Sequence, residues 1–196
     1  VAVRLAAWGI HVDDSAGRPF GKTVPGTFLD LVVEAVRTQF APADLMALLK
    51  HPLTRLGLTV GDARRAARTL EIAAFRTAYL GRGLDGIDAA LERAARDSVQ
   101  GGARRQRAVR RIGEHGWQAA RDLVARLRQA FVPLTALTRQ DTALPLRDLA
   151  NAHVTAAEAL ARLPDPQAPN PLWDQEAGTA ASTFFTSLLD SKLRAP

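Results

Sequence analysis

Thr27-Phe28-Leu29-Asp30-Leu31-Val32-Val33-Glu34-Ala35-Val36-Arg37-Thr38-Gln39-Phe40 decides the fold class of this 196-residue chain. Phe28, Leu31, Val32, Ala35 and Val36 recur every three or four residues, the period of one helix face. Pro25 precedes them at a first-turn position, where its fixed φ suits a helix and its missing N–H is no loss. Downstream, Pro42 opens a second helix, with Asp44 in the first turn and a stripe of Leu45, Leu48 and Leu49. Pro52 ends it, because the residue before a proline is driven out of helical space.

The same period continues along the chain. Asp62 reads as the N-cap of a long helix reaching Leu80, with Ala66, Leu70, Ala73, Ala74 and Thr77 facing inward and Gly81 and Gly83 ending it. A shorter helix runs from Gly86 to Val99 through Ile87, Ala90, Leu91 and Ala94. After the Gly101-Gly102 break and a basic stretch, Trp117 to Phe131 aligns Ala120, Leu123, Val124, Leu127 and Phe131. Pro133 starts a looser section, and Pro145 precedes a helix from Leu146 to Leu163. Pro164, Pro166, Pro169 and Pro171 read as an extended linker. A last helix carries Ala180, Phe184, Ser187 and Leu188. Strand signals are confined to Gly9–Val12, and no repeat of fixed period occurs. The fold class is all-α, a single multi-helix domain. The divisions are residues 1–24 as a remnant of neighbouring structure, 25–163 as the helical domain, 164–171 as the linker and 172–196 as the terminal helix.

Composition narrows the function. Without cysteine, disulfides, thiolate metal sites and cysteine nucleophiles are excluded. No apolar run approaches the roughly 18 residues of a membrane span, and the N-terminus has no signal-peptide pattern, so a cytoplasmic protein is expected. The chain starts at Val1, has Met46 as its one methionine, and opens inside an uncapped amphipathic pattern of Val3, Leu5, Ala6 and Trp8. These features read as an internal segment of a longer protein. The net charge of +6 is carried almost wholly by arginine, with lysine at Lys22, Lys50 and Lys192 alone. Part of that bias is of the kind seen in GC-rich bacterial coding sequence. The balance still favours an anionic partner, nucleic acid first.

Chemistry-bearing patterns are sparse. Asp13 and Asp14 point apart on an extended segment and lack further oxygen ligands at fixed offset, so they read as a turn. Gly17 to Thr23 approaches a phosphate loop, but three residues separate Gly17 from Gly21 where the pattern needs four, and no strand leads into it. His11, His51, His115 and His153 show no ligand spacing and read as structural, with His51 placed to cap helix carbonyls. No serine lies in a nucleophile-elbow context. Neither a cofactor nor a metal is expected. Arg104, Arg105, Arg107, Arg110 and Arg111 form the strongest charge feature and are the candidate DNA-binding residues. On an α-helix, Arg104, Arg107 and Arg111 would share one side. Arg64, Arg65 and Arg68, with Arg76 two turns on, form a second cluster. Trp8, Trp117 and Trp173 read as core anchors, since none sits in a basic cluster with a second aromatic.

The segment Ala43-Asp44-Leu45-Met46-Ala47-Leu48-Leu49-Lys50-His51-Pro52-Leu53 resembles the corresponding stretch of AddB-type proteins of alphaproteobacteria. These form one subunit of a two-subunit helicase-nuclease that processes double-strand DNA breaks for recombination. Trp8-Gly9-Ile10, Val12 to Pro19, Pro25-Gly26-Thr27-Phe28, Thr69-Leu70-Glu71, Gly83 to Ile87, Leu172-Trp173-Asp174 and Glu176-Ala177-Gly178 resemble the family in the same order. More distantly, the layout resembles the helical insertion in the second motor domain of superfamily 1 helicases, with Ile10 to Val12 as a motor-strand remnant. The resemblance implies a non-catalytic helical segment that contributes DNA contact and scaffolding in double-strand break repair, with an AddA-type helicase-nuclease as partner subunit. Hotspot sensing is a further implied role. The family's iron-sulfur cysteines and nuclease motif have no counterpart here, so no catalytic residue is carried over. The rival expectation is a protein–protein interaction domain that packs on a partner subunit without touching DNA.

Overall fold

Helix α1 spans Val24–Arg37, and its start follows from local chemistry. Thr23 is extended, its hydroxyl accepts from the Gly26 amide, and Pro25 supplies the preset φ of the first turn. The computed structural model describes residues 19–76, 81–100, 108–138 and 143–191. Within these, six more α-helices follow: α2 (Pro42–Lys50), α3 (Val60–Leu70), α4 (Gly83–Gln100), α5 (Glu114–Thr138), α6 (Leu146–Ala161) and α7 (Gln175–Asp190). Single 3-10 turns lie at Phe20–Lys22, Val109–Arg111 and Pro171–Trp173, and no strand occurs among the described residues. The all-α class is therefore what the periodicity indicated. The expected strand at Gly9–Val12 lies outside the described residues.

The 25-residue α5 is the central member, packed against α3, α4 and α6. On the other side of the core, α1 packs on α2, α6 and α7. Phe28 from α1, Leu45 and Leu48 from α2, Leu70 from α3, Ile87 and Leu91 from α4, Leu123, Leu127 and Phe131 from α5, and Leu160 from α6 are all fully buried. Each large side chain of this kind stabilises by about 1.5–3 kcal/mol through removal from water. The apolar stripes of α2, α4 and α5 are buried as their spacing implies, Ala94 only in part.

Five local expectations are corrected. The cap of α3 is Thr59, whose hydroxyl accepts from the Asp62 amide and donates to the Asp62 carboxylate. That α-helix stops at Leu70 and widens into a π turn, Glu71–Phe75, while Thr77 to Leu80 lie outside the described residues. No loosening occurs at Pro133. Helix α5 runs through it to Thr138, because Phe131 and Leu134 keep their burial and a proline removes a single ladder bond. On α7 the inward residues are Gly178 and Ala181, with Phe185 half-buried, whereas Ala180, Phe184 and Ser187 are exposed. His51 caps no carbonyl: its Nδ1 accepts from the Leu53 amide at 3.2 Å.

Two connections are held tightly. After α1, Gln39 and Phe40 both take left-handed φ, 53° and 60°. Phe40 is thereby turned inward to meet Phe131 edge-on, ring centroids 4.9 Å apart. After α2, the Arg55 and Leu56 amides both bond to the Leu160 carbonyl, and Arg126 Nη1 donates to the Leu56 carbonyl at 2.9 Å. The proline-rich stretch is likewise pinned. Asn170 Nδ2 donates to the Glu158 carbonyl, Trp173 Nε1 donates to Glu158 Oε1 at 2.7 Å, and Leu172 is fully buried.

Candidate nucleic-acid interface

Helix α3 presents Arg64, Arg65 and Arg68 to solvent while Ala63, Ala66, Ala67 and Leu70 face the core. Alternation of alanine and arginine makes this split possible. The small side chains allow close approach to α5, and the long ones project beyond it. Across a cleft from α3, the chain enters α5 through the 3-10 turn Val109–Arg111 and an extended Ile112. Val109 is buried and anchors the turn, so Arg110 and Arg111 are held at the surface.

The cleft between them has a volume of about 690 Å³. Its walls carry Arg65, Arg68, Arg111 and His115, and its floor is aliphatic, from Leu58, Ala66, Ile72, Ile112 and Ala119. A second cleft of about 600 Å³ adjoins it and shares Arg68, Ile72 and Ala108. Arg64, Lys50 and Arg76 line that second cleft. The two arginine clusters of the sequence are thus parts of one basic surface. Spacing along the chain could not show this, because the union is made by α3 packing on α5.

Pairing divides the cations. Arg65 is bound to Asp62, and Lys50 and Arg76 share Glu71. Arg121 bridges to Glu92, and Arg128 to Asp85 and Asp88, on the α4–α5 side. The Thr59 hydroxyl and then Arg65 hold the Asp62 carboxyl below the usual carboxylate range. Among the described residues, Arg64, Arg68 and Arg111 form no ion pair. Burial, and then the charge of Arg64, lowers the Arg55 guanidinium. The surface thus mixes neutralised cations, Arg65, Lys50 and Arg76, with the three that carry no ion pair among the described residues.

Of the five expected DNA-binding residues, Arg111 lines the first cleft, while Arg110 is exposed in the same 3-10 turn but lines neither cleft. Arg104, Arg105 and Arg107 lie outside the described residues. The 100° spacing of an α-helix does not apply to the described end of that run, which is a 3-10 turn. Spacing gave no reason to place Arg68 beside Arg111. The described tryptophans behave as core anchors: Trp117 is buried, and Trp173 is half-buried and bonded to Glu158. The near-miss phosphate loop ends in a 3-10 turn, with the Thr23 hydroxyl committed to capping α1. No group of three or more metal-ligating side chains is found among the described residues, and Asp13 and Asp14 lie outside them. No described helix is long and apolar enough to cross a membrane.

The fold that carries this surface is all-helical among the described residues. Comparison with known proteins adds no particular relative: no protein-family model, no curated protein and no solved structure matches the chain.

Proposed function

We propose that this chain is a non-catalytic helical segment that holds nucleic acid by its phosphate backbone, in the setting of AddB-type DNA break processing. One observation carries the reading. Arg68 and Arg111, from separate arginine runs, line one cleft and have no carboxylate partner among the described residues. Unpaired, exposed guanidiniums suit phosphate oxygens, and binding them releases counterions from the DNA. Ala108 lines both clefts and so joins them into one surface.

The test is the triple variant Arg64→Gln, Arg68→Gln and Arg111→Gln against a labelled 30-nucleotide strand and its duplex at low salt. The expected result is at least tenfold weaker binding to both with an unchanged melting temperature. Wild-type affinity in the variant, or no binding by the parent protein, overturns the reading.

The second reading, packing against an AddA-type partner subunit, is favoured by a different surface. A groove of about 580 Å³ between α1, α5, α6 and α7 is lined by Val33, Leu134, Leu146, Leu149, Phe184 and Leu188. Phe184 is 62% exposed and Leu146 53%, an apolar patch of the kind that marks interaction sites. Phe184→Glu distinguishes the two: it would abolish association with the partner and leave DNA affinity unchanged.

A further inference from the structure

A surface for phosphate alone needs only cations. The cleft between α3 and the start of α5 holds more: a recessed aliphatic floor below the rim of Arg68 and Arg111. It also holds hydrogen-bond acceptors. Asp62 and Asp122 both line it, as does the exposed Gln118. Their charges are locally offset, Asp62 by Arg65 and Asp122 by Arg126, whose Nε lies 2.7 Å from Asp122 Oδ2. At about 690 Å³ the space falls in the range of small-molecule sites, well above the volume of one planar ring.

We infer that this cleft takes an unstacked nucleobase of a single strand, with the flanking phosphates on Arg68 and Arg111. The inference rests on the backbone-contact reading and names the form of nucleic acid that fits. A ligand for this site must combine three properties. It must be anionic at the rim, apolar where it meets the aliphatic floor and able to donate N–H to carboxylates. A nucleotide with an exocyclic amine has all three. A duplex buries its base faces in the stack and can offer the cleft only its backbone. An acidic peptide can pair with the rim arginines but brings no apolar body for the aliphatic floor. Ala119 and, one turn earlier on α5, Gly116 both line the cleft. A Cβ at Gly116 would meet Ile112 Cγ2 at 3.1 Å and Thr69 Oγ1 at 3.8 Å, both side-chain atoms that can give way.

The experiment compares the full chain's affinity for a 16-nucleotide oligodeoxycytidylate with that for a 16-residue abasic strand of equal charge, at one salt concentration. The expected result is about tenfold tighter binding of the base-bearing strand. Filling the cleft by Ala119→Leu should make the two affinities converge, and Gly116→Val provides a second filling should the first variant unfold. Equal affinity of both strands in the parent protein overturns the inference while leaving backbone contact standing. Failure of both strands to bind overturns the backbone reading itself. Displacement of the oligodeoxycytidylate by an oligoglutamate peptide as effectively as by the abasic strand also overturns it, in favour of an acidic-peptide site.

Discussion

Gly178→Ala should destabilise this protein even though alanine is the better helix former. Gly178 lies one turn into α7 and is buried against the Pro171–Trp173 turn. A Cβ there would stand 2.5 Å from the Trp173 carbonyl carbon, 2.8 Å from the Leu172 oxygen and 2.9 Å from the Trp173 Cα. All three are backbone atoms, so no rotamer change relieves the contact. Restoring normal separation requires α7 to lift by about 1 Å. That movement acts on Leu172, which is fully buried, and on the Trp173–Glu158 hydrogen bond. Overpacking of this kind costs about 1–3 kcal/mol, and partial exposure of a leucine adds to it. The intrinsic helix gain of alanine over glycine offsets about 1 kcal/mol. The net expectation is a loss of about 1–3 kcal/mol, or roughly 3–10 °C in melting temperature for a chain of this size. Gly61→Ala is the paired control. Its Cβ would meet only the mobile end of Arg65, at 3.1 Å, and it should stabilise by up to about 1 kcal/mol. Urea unfolding followed by far-ultraviolet circular dichroism reads both. A Gly178→Ala midpoint at or above that of the parent protein would refute the packing of α7 on the 171–173 turn.

Two further outcomes follow from the same structure. Pro133→Ala should raise stability by about 1–3 kcal/mol, since it returns an amide donor to the interior of α5; a lowered urea midpoint would show that the proline is needed there. Acid should destabilise through His153, whose Nε2 lies 2.9 Å from the Leu29 carbonyl and which burial holds below the usual histidine range. The unfolded chain then binds the proton first, so stability falls as pH drops below about 6.5 and levels off below the folded value. His51, also lowered by burial, adds with the same sign. His153→Gln should flatten the melting temperature between pH 7 and pH 5.5, and an unchanged slope would remove His153 from the account.

Much of the fold was legible because helical period and burial coincide. The stripes on α1, α2, α4 and α5 needed no tertiary information. Legibility failed where packing outweighed a local signal. Pro133 reads as a break, yet Phe131 and Leu134 on the same face hold α5 together. The four prolines after Leu163 read as a spacer, yet Asn170, Leu172 and Trp173 fasten that stretch to α6 and the core. On α7 a large phenylalanine, Phe184, outranks a glycine in any sequence pattern, but Gly178 makes the close contact and Phe184 stays outside. The candidate site was half legible. Each arginine run was visible, but their junction at Arg68 and Arg111 depends on how α3 lies across α5, which no spacing rule contains.

The dependence of binding on salt tests most directly the proposal that the α3–α5 arginines without an ion pair among the described residues contact phosphates. Each phosphate neutralised contributes about −0.9 to the slope of log K against log salt on duplex DNA and about −0.7 on a single strand. Between 50 and 300 mM sodium chloride, the variant lacking Arg64, Arg68 and Arg111 should therefore give a slope shallower than the parent's by about 2–3 on either ligand. Equal slopes for the two proteins would contradict the account.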